Sequence, residues 1–263
     1  MKRKTILFDG RFLSLSHAGI GRYSDELLKS LLALDEKQRY ILLISPNTEL
    51  DKDLQRALNE RDEPVEVVET SASHYSFAEQ TSLLLLLNKI RPDLVHFPHF
   101  NHPVLYKGDF VVTIHDLTLS DYNERGGLFK RFVYEKVINS AAQKSKKIFT
   151  VSDFVRKQLT KEYGLPLRKV VTTYNGIDSK FTKITNPKTL ERSEKYGLRD
   201  PYIVSVGQWR SHKNLLRLVE AFAKTVEQTN RYPNLKLAFV GRKEAKKVFV
   251  RAPLAHRNDI WIP

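Results

Sequence analysis

Apolar residues along the chain follow two alternating patterns. Short continuous apolar runs are typical of strands buried in a parallel sheet, and they predict strands over 5–9, 40–44, 65–68, 94–97, 111–114, 147–151 and 170–174. Between these runs apolar residues recur at helical spacing, which predicts a helix through residues 20–34 and further helices over 76–90, 128–143 and 153–163. This alternation indicates βαβ units, so we expect an α/β fold with a doubly wound sheet.

A polar stretch divides this pattern in two. Residues 176–200 contain few apolar positions and many charges, as is typical of a linker between domains. After it the pattern restarts, with strands expected over 202–206, 235–240 and 259–262 and a helix over 213–226. We therefore expect an N-terminal Rossmann-like domain over 1–175 and the start of a second such domain over 201–263, with fewer strands than a complete one.

Charge is the composition's most unusual property. The 263 residues carry a formal net charge of +14, and none of them is cysteine. The absence of cysteine excludes disulfides, thiolate catalysis and cysteine-based zinc sites. Basic residues dominate the stretch 125–169, which forms either an ordinary solvated surface or a patch that contacts an anionic membrane. A nucleic-acid binder is the third class, but the sequence has no recognised binding motif of that kind.

The chain shows no secretory signal, because MKRK is followed at once by the polar segment TILFDGRF. Its most apolar run, residues 83–87, is far shorter than the roughly 20 residues that cross a bilayer. We expect a cytoplasmic protein that contacts the inner membrane face peripherally.

Gly19 and Gly21 open the first predicted helix. Glycines at a helix N-terminus let a phosphate approach the backbone N–H groups, and the helix dipole favours the anion. A plain glycine turn is the alternative. Ser24 stands where a dinucleotide fingerprint has its third glycine, and the second strand has no acidic residue at its end, so NAD binding is disfavoured.

Three histidines recur at a spacing of three in His96, His99 and His102. Pro98 and Pro103 forbid the regular helix that would align them on one face. A loop at the carboxyl end of a strand, where open α/β sheets bind ligands, is therefore favoured over a metal site.

Two further polar groups follow predicted strands. His115 and Asp116 come directly after the strand at 111–114, where the carboxylate can orient the imidazole; a purely structural histidine is the alternative. Lys213 lies at the start of the helix predicted over 213–226, where a cation is unfavourable unless an anion is bound.

The only D-x-D motif of the sequence is at residues 51–53. We interpret its two aspartates as favourable acidic residues at the start of a helix rather than as a metal–diphosphate site.

Taken together, these strings resemble glycosyltransferase family 4, a large group of retaining enzymes with the two-domain GT-B fold. The matching strings cover nearly the whole chain in the family's order: GIGRY at 19–23, HFPHFN at 96–101, VVTIHDL at 111–117, VSDFVRKQL at 151–159, YNGID at 174–178 followed by Phe181, and YIVSVGQWRSHKNLLRLVEAF at 202–222.

The resemblance implies transfer of a sugar from a nucleotide-sugar to a glycan or lipid-linked acceptor in cell-surface polysaccharide biosynthesis, without a cofactor or metal. It places His115 and Asp116 at the reacting sugar. Residues assigned to the donor diphosphate are Gly19, Gly21, Arg210 and Lys213. Residues assigned to the cleft and acceptor are His99, Asn101 and Asn175.

The chain departs from the family pattern in its later part. Gln208 and His212 stand at positions where many relatives have an arginine, so Arg210 is the substitute cation. Relatives also carry a pair of glutamates that would fall beyond Pro263. We therefore expect a truncated or split gene product, or part of a longer chain, and the alternative function is an inactive or partner-dependent fragment.

Overall fold

The computed structural model describes residues 2–13, 18–117, 127–178, 181–183, 201–207, 209, 213–228, 235–241 and 260–261. The chain divides into two compact units, Met1–Gly176 and Ile177–Pro263.

The N-terminal unit is built around a parallel sheet. Within the described residues it contains β1 (Thr5–Asp9), β2 (Arg39–Ile44), β3 (Glu66–Glu69), β4 (Leu94–Phe97), β5 (Phe110–Ile114), β6 (Lys147–Thr150) and β7 (Val170–Thr172), in the order β3-β2-β1-β4-β5-β6-β7. All neighbouring strands run parallel. The strands expected from the apolar runs are thus confirmed to within a few residues at each end.

Helices connect the strands and cover both faces of this sheet. They are α1 (Ala18–Leu34), α2 (Lys52–Asn59), α3 (Phe77–Gln80), α4 (Ser82–Ile90), α5 (Gly127–Lys144), α6 (Asp153–Tyr163) and the short 3-10 helix Leu167–Lys169. Leu7 and Phe8 are adjacent on β1 and point to opposite faces, so each belongs to a different buried cluster. A sheet buried on both faces needs the continuous apolar strands that the sequence shows.

Helix caps explain two polar features of the sequence. The Asp51 carboxylate accepts a hydrogen bond from the Asp53 backbone N–H, 2.9 Å away, at the start of α2. The D-x-D therefore caps a helix, as expected. At α6 the Ser152 hydroxyl accepts from the Val155 N–H, 3.3 Å away, so Ser152 rather than Asp153 is the cap.

The single helix expected over 76–90 is wrong, because the chain breaks at Thr81. The Gln80 side chain accepts from the Val104 N–H at 2.8 Å and donates to the His102 carbonyl at 3.1 Å. This clamp on the β4–β5 loop is a contact between distant parts of the chain, and no local pattern predicts it.

The second unit contains a smaller parallel sheet. Among the described residues its strands are β8 (Tyr202–Val206), β9 (Lys236–Val240) and β10 (Ile260–Trp261), in the order β10-β9-β8. Helix α7 (Leu215–Gln228) contributes Val219 and Phe222 to a cluster with Leu237 and Phe239.

The start of α7 corrects the expected helix over 213–226. The Asn214 carbonyl accepts from the Leu218 N–H at 3.3 Å, and Asn214 has a positive φ of 53°. Asparagine tolerates this backbone conformation. Lys213 therefore lies just before the helix rather than inside its first turn.

Candidate functional site at the carboxyl edge of the N-terminal sheet

The strand order of the N-terminal sheet reverses between β1 and β4, which are neighbours although they are far apart in sequence. In open α/β sheets such a switch point opens a crevice at the carboxyl ends of the strands, and ligands bind there. The segments that leave this edge include the loop from β1 to α1, the loop after β4, and His115 directly after β5. Because the carboxyl ends of parallel strands lie at one edge of a sheet, these segments share that edge.

Helix α1 presents its N-terminus at this edge. Gly19 is exposed, and a β-carbon built on it would meet nothing within 4 Å, whereas Gly21 is buried. The first turn of α1 carries no acidic residue, so its partial positive charge is not offset there. Open space at Gly19 is what a phosphate needs to approach this end of the helix.

Tyr23 links the start of α1 to the end of β5. Its phenol oxygen lies 3.0 Å from the Thr113 hydroxyl, and its ring meets the His115 ring edge-on with centroids 4.7 Å apart. Tyr23 therefore ties the first turns of α1 to the end of β5, which His115 follows.

His115 is fixed as a neutral ring. Its Nε2 lies 2.8 Å from the Pro98 carbonyl oxygen. Because a carbonyl only accepts, Nε2 carries the hydrogen and Nδ1 is the unprotonated nitrogen. Burial lowers the pKa of His115, against the opposing effects of the Pro98 carbonyl and of Asp116. The ring can therefore accept a hydrogen bond from a sugar hydroxyl through Nδ1, but it is a weak base.

The other predicted site residues fall into two groups. Asp116 and Asn175 are exposed and follow β5 and β7, at the same edge of the sheet. Lys213 is exposed and belongs to the second unit, and Arg210 lies outside the described residues. Their roles stay predictions.

His96, His99 and His102 do not converge on a metal. Their rings bond to the Thr113 hydroxyl, to the Asn101 side chain and to the Ser140 hydroxyl respectively. Burial lowers the pKa of His99 to about 3 and of His96 and His102 to about 4. Among the described residues no group of three or more His, Cys, Asp or Glu side chains could hold a metal ion.

A buried charge cluster lies below this edge and was not expected from the sequence. Arg11, 2% exposed, donates to Asp9 with Nε–Oδ1 and Nη2–Oδ2 distances of 2.8 and 2.7 Å. Its Nη2 also lies 3.0 Å from Glu79 Oε1. We call Asp9, Arg11 and Glu79 the buried cluster. One guanidinium group thus pairs with two carboxylates, that of Asp9 at the end of β1 and that of Glu79 in α3.

Both carboxylates remain ionised in spite of their burial. Burial opposes the ionisation of Asp9, but the charge and hydrogen bonds of Arg11 lower its pKa below the ordinary value. Burial likewise opposes the ionisation of Glu79, but the nearby His74, whose Nδ1 lies 3.7 Å from Glu79 Oε1, and the charge of Arg11 lower its pKa. The buried cluster is therefore a fixed ionic unit at neutral pH.

The buried cluster extends to the loop after β4. Asn101 Nδ2 donates to Glu79 Oε2 at 3.3 Å, and the Asn101 side-chain oxygen lies 2.6 Å from His99 Nδ1. His99 and Asn101 are 8% and 2% exposed. The structure confirms that both lie in this loop, but their side chains are engaged inside the unit, and contact with an acceptor stays a prediction.

Gly10 is required by close packing beside the buried cluster. A β-carbon at this position would lie 2.6 Å from Leu42 Cδ1, 2.7 Å from Leu13 Cδ1 and 2.9 Å from the Leu43 carbonyl oxygen. Asp9-Gly10-Arg11 at the end of an apolar strand was a local signal of this site, since a charged pair at the switch point is unusual.

In the part of the chain that the structure describes, no helix has the length and hydrophobicity of a membrane span.

Comparison with known proteins identifies the family. The sequence model of Glycosyltransferase Family 4 matches residues 18–181, which include α1, His115 and the loop after β7. O-antigen chain mannosyltransferase B of Escherichia coli is 25% identical over 247 residues, which cover 87% of this chain and 62% of that protein.

Solved structures share the fold. A structure of HepE from Anabaena with UDP-glucose has a TM-score of 0.61 at 16% identity, covering 98% of this chain and 68% of that one. WaaG, a glycosyltransferase involved in lipopolysaccharide biosynthesis, has a TM-score of 0.58 at 14% identity, covering 91% and 64%. A glycosyltransferase from Rickettsia africae has a TM-score of 0.55 at 18% identity, covering 92% and 61%.

Likeness at these identities shows the fold alone, which is of the GT-B type, as the sequence predicted. The chain spans about 62% of the length of the mannosyltransferase that it matches. The family model matches more than half of the chain, and its range contains the open helix N-terminus and His115. This chain therefore belongs to Glycosyltransferase Family 4.

Proposed function

We propose that this protein takes part in the transfer of a sugar from a nucleotide-sugar donor to a glycan or lipid-linked acceptor, in the biosynthesis of a cell-surface polysaccharide. One observation carries the proposal. Tyr23 links α1, which has open space at Gly19, to His115, so an anion-binding feature and a neutral hydrogen-bond acceptor belong to the same edge of the sheet. A nucleotide-sugar offers a diphosphate and hydroxyl groups next to one another.

The donor diphosphate needs positive charge as the bond to the sugar breaks. Negative charge then develops on the departing diphosphate, and preorganised donors stabilise it. Gly19 and Gly21 supply backbone N–H groups and the helix dipole. Lys213 and Arg210 of the second unit add cations to the same diphosphate. With these groups the leaving diphosphate requires no metal, so we propose a metal-independent transfer without a cofactor.

The sugar side of the reaction is assigned to His115 and Asp116. The unprotonated Nδ1 of His115 accepts a hydrogen bond from a hydroxyl of the transferred sugar and orients it. The Asp116 carboxylate favours the positive charge that develops on that sugar. His99 and Asn101 hold the neighbouring loop on the acceptor side, and Asn175 contacts the acceptor from the end of β7.

The basic stretch 125–169 suggests where the protein acts. Its excess of lysine and arginine attracts an anionic surface. In the described part of this stretch Phe132 is exposed, and the Lys136 ammonium group lies 5.3 Å from the centre of the Phe132 ring. We propose a cytoplasmic protein that contacts the inner membrane face through this surface, where lipid-linked acceptors are present.

Nucleotide binding tests the donor assignment. Titration of the purified chain with UDP and with GDP in a calorimeter should show binding of one of them. Lys213→Ala should weaken that binding tenfold or more, since one charge-assisted contact is worth about 1.5–3 kcal/mol. Lys52→Ala is the matched control, because Lys52 also stands at a helix start and is exposed.

Transfer tests the sugar assignment. With labelled nucleotide-sugar and an extract of lipid-linked glycans, His115→Ala should lower turnover about 100-fold, as does loss of one preorganised group at a reacting centre, and leave nucleotide binding unchanged. Turnover that requires a second polypeptide would identify a partner-dependent fragment. Binding of neither nucleotide, or equal losses in Lys52→Ala and Lys213→Ala, would contradict the proposal.

A further inference from the structure

Tyr75 has a strained backbone and an exposed ring at the edge of the candidate site. Its φ is 59°, a left-handed conformation that a bulky residue seldom adopts, and its side chain is 55% exposed. The other described non-glycine residues with positive φ have local reasons. Asn47 and Asn214 are asparagines, and Arg91 ends α4 as its cap. Tyr75 directly precedes Ser76, the cap of α3, and it is neither a glycine nor an asparagine. Bulky residues in such strained conformations are often found at ligand sites.

The buried cluster imposes this conformation. The Tyr75 backbone N–H donates to Glu79 Oε2 at 3.1 Å, and Arg11 Nη1 donates to the Ala72 carbonyl at 2.9 Å. Arg11 and Glu79 are themselves ion-paired in the interior. The segment from Ala72 to Tyr75 is therefore held at both ends by hydrogen bonds to buried charged groups. These hydrogen bonds offset the energetic cost of the left-handed conformation at Tyr75.

The ring of Tyr75 continues a row of rings that ends at His115. Its centroid lies 6.3 Å from that of His99 and 6.3 Å from that of Phe100, in edge-on contacts. The His99 ring in turn is stacked 6.3 Å from the His115 ring. His115 faces the reacting sugar in the proposed function, and Tyr75 lies beyond His99, two rings from His115, along the same edge.

We propose that Tyr75 is a sugar-binding residue, on whose exposed ring a pyranose of the acceptor glycan stacks. The C–H bonds on one face of a pyranose form an apolar surface that matches an aromatic face, while the phenol hydroxyl can bond a sugar hydroxyl. This inference rests on the proposed function, because it takes the acceptor to be a carbohydrate.

Comparison with a neighbouring aromatic residue, Phe77, distinguishes sugar binding by Tyr75 from contact with a membrane. Phe77 is 82% exposed, more than Tyr75, and begins α3. Among the described rings, none of the aromatic contacts at the switch-point edge involves Phe77. A membrane surface would use the more exposed Phe77 at least as much as Tyr75, whereas a sugar placed beside His115 would use Tyr75.

Saturation-transfer NMR with methyl α-mannopyranoside and methyl β-glucopyranoside tests the proposal without turnover. At least one glycoside should receive saturation on the ring protons of one face. Tyr75→Ala should reduce that signal at least fivefold, Tyr75→Phe should retain most of it, and Phe77→Ala should leave it unchanged. Unchanged signals in Tyr75→Ala, no saturation of either glycoside by the wild-type chain, or equal losses in Phe77→Ala would overturn the proposal.

A pair of variants separates binding from folding. Both Tyr75→Ala and Tyr75→Gly remove the ring, but only glycine relieves the left-handed strain. Tyr75→Gly should therefore melt about 2–4 °C above Tyr75→Ala and lose the glycoside signal equally. Recovery of binding in the more stable glycine variant would refute a direct contact with sugar.

The same variants distinguish this inference from the proposed function. Tyr75→Ala should bind UDP and GDP like the wild-type chain, because the ring lies on the acceptor side. If nucleotides bind and glycosides do not, the inference fails while the donor assignment stands. If glycosides bind through Tyr75 and no nucleotide binds, the inference stands for a carbohydrate-binding site and the transferase proposal fails.

Discussion

Lowering the pH from 7 to 5 should destabilise the N-terminal unit by several kcal/mol, because three of its histidines are buried in the neutral form. His96, His99 and His102 are 7%, 8% and 0% exposed. Burial lowers the pKa of His99 to about 3 and of the other two to about 4. In the unfolded chain each histidine regains its ordinary pKa of 6.5.

The loss of stability in acid follows from the difference in proton binding between the folded and unfolded states. Below pH 6.5 the unfolded chain takes up protons that the folded unit cannot, so acid favours the unfolded state until the folded pKa values are reached. From 6.5 to 5 is 1.5 pH units, at about 1.4 kcal/mol per unit. Each histidine therefore costs about 2 kcal/mol at pH 5 and the three together about 6 kcal/mol, comparable with the whole stability of many domains.

Amide exchange of peptides from β4 and β5, corrected for the intrinsic exchange rate, reports the opening of this unit alone. Tryptophan fluorescence reports the second unit separately, because the chain's two tryptophans, Trp209 and Trp261, lie there. His102→Gln is the matched variant. It keeps a side-chain donor for the Phe100 carbonyl, which His102 Nδ1 now bonds at 2.9 Å, but it cannot titrate.

The wild-type unit should lose about 4 kcal/mol per pH unit in this window, and His102→Gln about one third less. A free energy of unfolding that does not change between pH 7 and 5 would show that these histidines are not held neutral in the folded unit. So would an identical slope in His102→Gln, because His102 would then be protonated or exposed in the folded unit.

Three further perturbations test the same structure. Gly10→Ala should cost about 1–3 kcal/mol in urea unfolding, because its β-carbon meets Leu42 at 2.6 Å, whereas Gly19→Ala should stay within about 0.5 kcal/mol; equal effects would contradict the packing. Arg11→Met should lower the free energy of unfolding by about 3–5 kcal/mol, because it leaves the two buried carboxylates of the cluster without a cation. A near-neutral change would show that these carboxylates are not ionised. Limited trypsin digestion should leave a stable N-terminal fragment that ends within 174–200, and resistance of the whole chain would contradict independent folding of that unit.

The sheet was predictable because its signal is local. Mostly apolar runs such as 94–97 and 111–114 are typical of strands in a parallel sheet that is covered on both faces. The same reasoning put His115 at the carboxyl edge, since it directly follows β5. Once a strand is predicted from the sequence, the residue that directly follows it can be assigned to the carboxyl edge of the sheet.

The buried cluster could not be predicted in the same way. Asp9 and Arg11 are neighbours in sequence, but Glu79 is 68 residues from Arg11 and enters only through the fold. The break at Thr81 also depends on a distant loop, which Gln80 clamps. Local patterns carry no information on such pairings. For the same reason the loop of His99 was foreseen, but its burial was not.

Amide NMR mapping shows directly whether a nucleotide-sugar binds at the N-terminus of α1. The isotope-labelled chain would be titrated with UDP-glucose and with GDP-mannose and followed residue by residue. The amide signals of Gly19 and Gly21 should shift first, together with that of Lys213, whereas those of residues 51–53, at the acid-capped start of α2, should not shift. Shifts confined to α2, or none at the start of α1 with either donor, would contradict binding at this site.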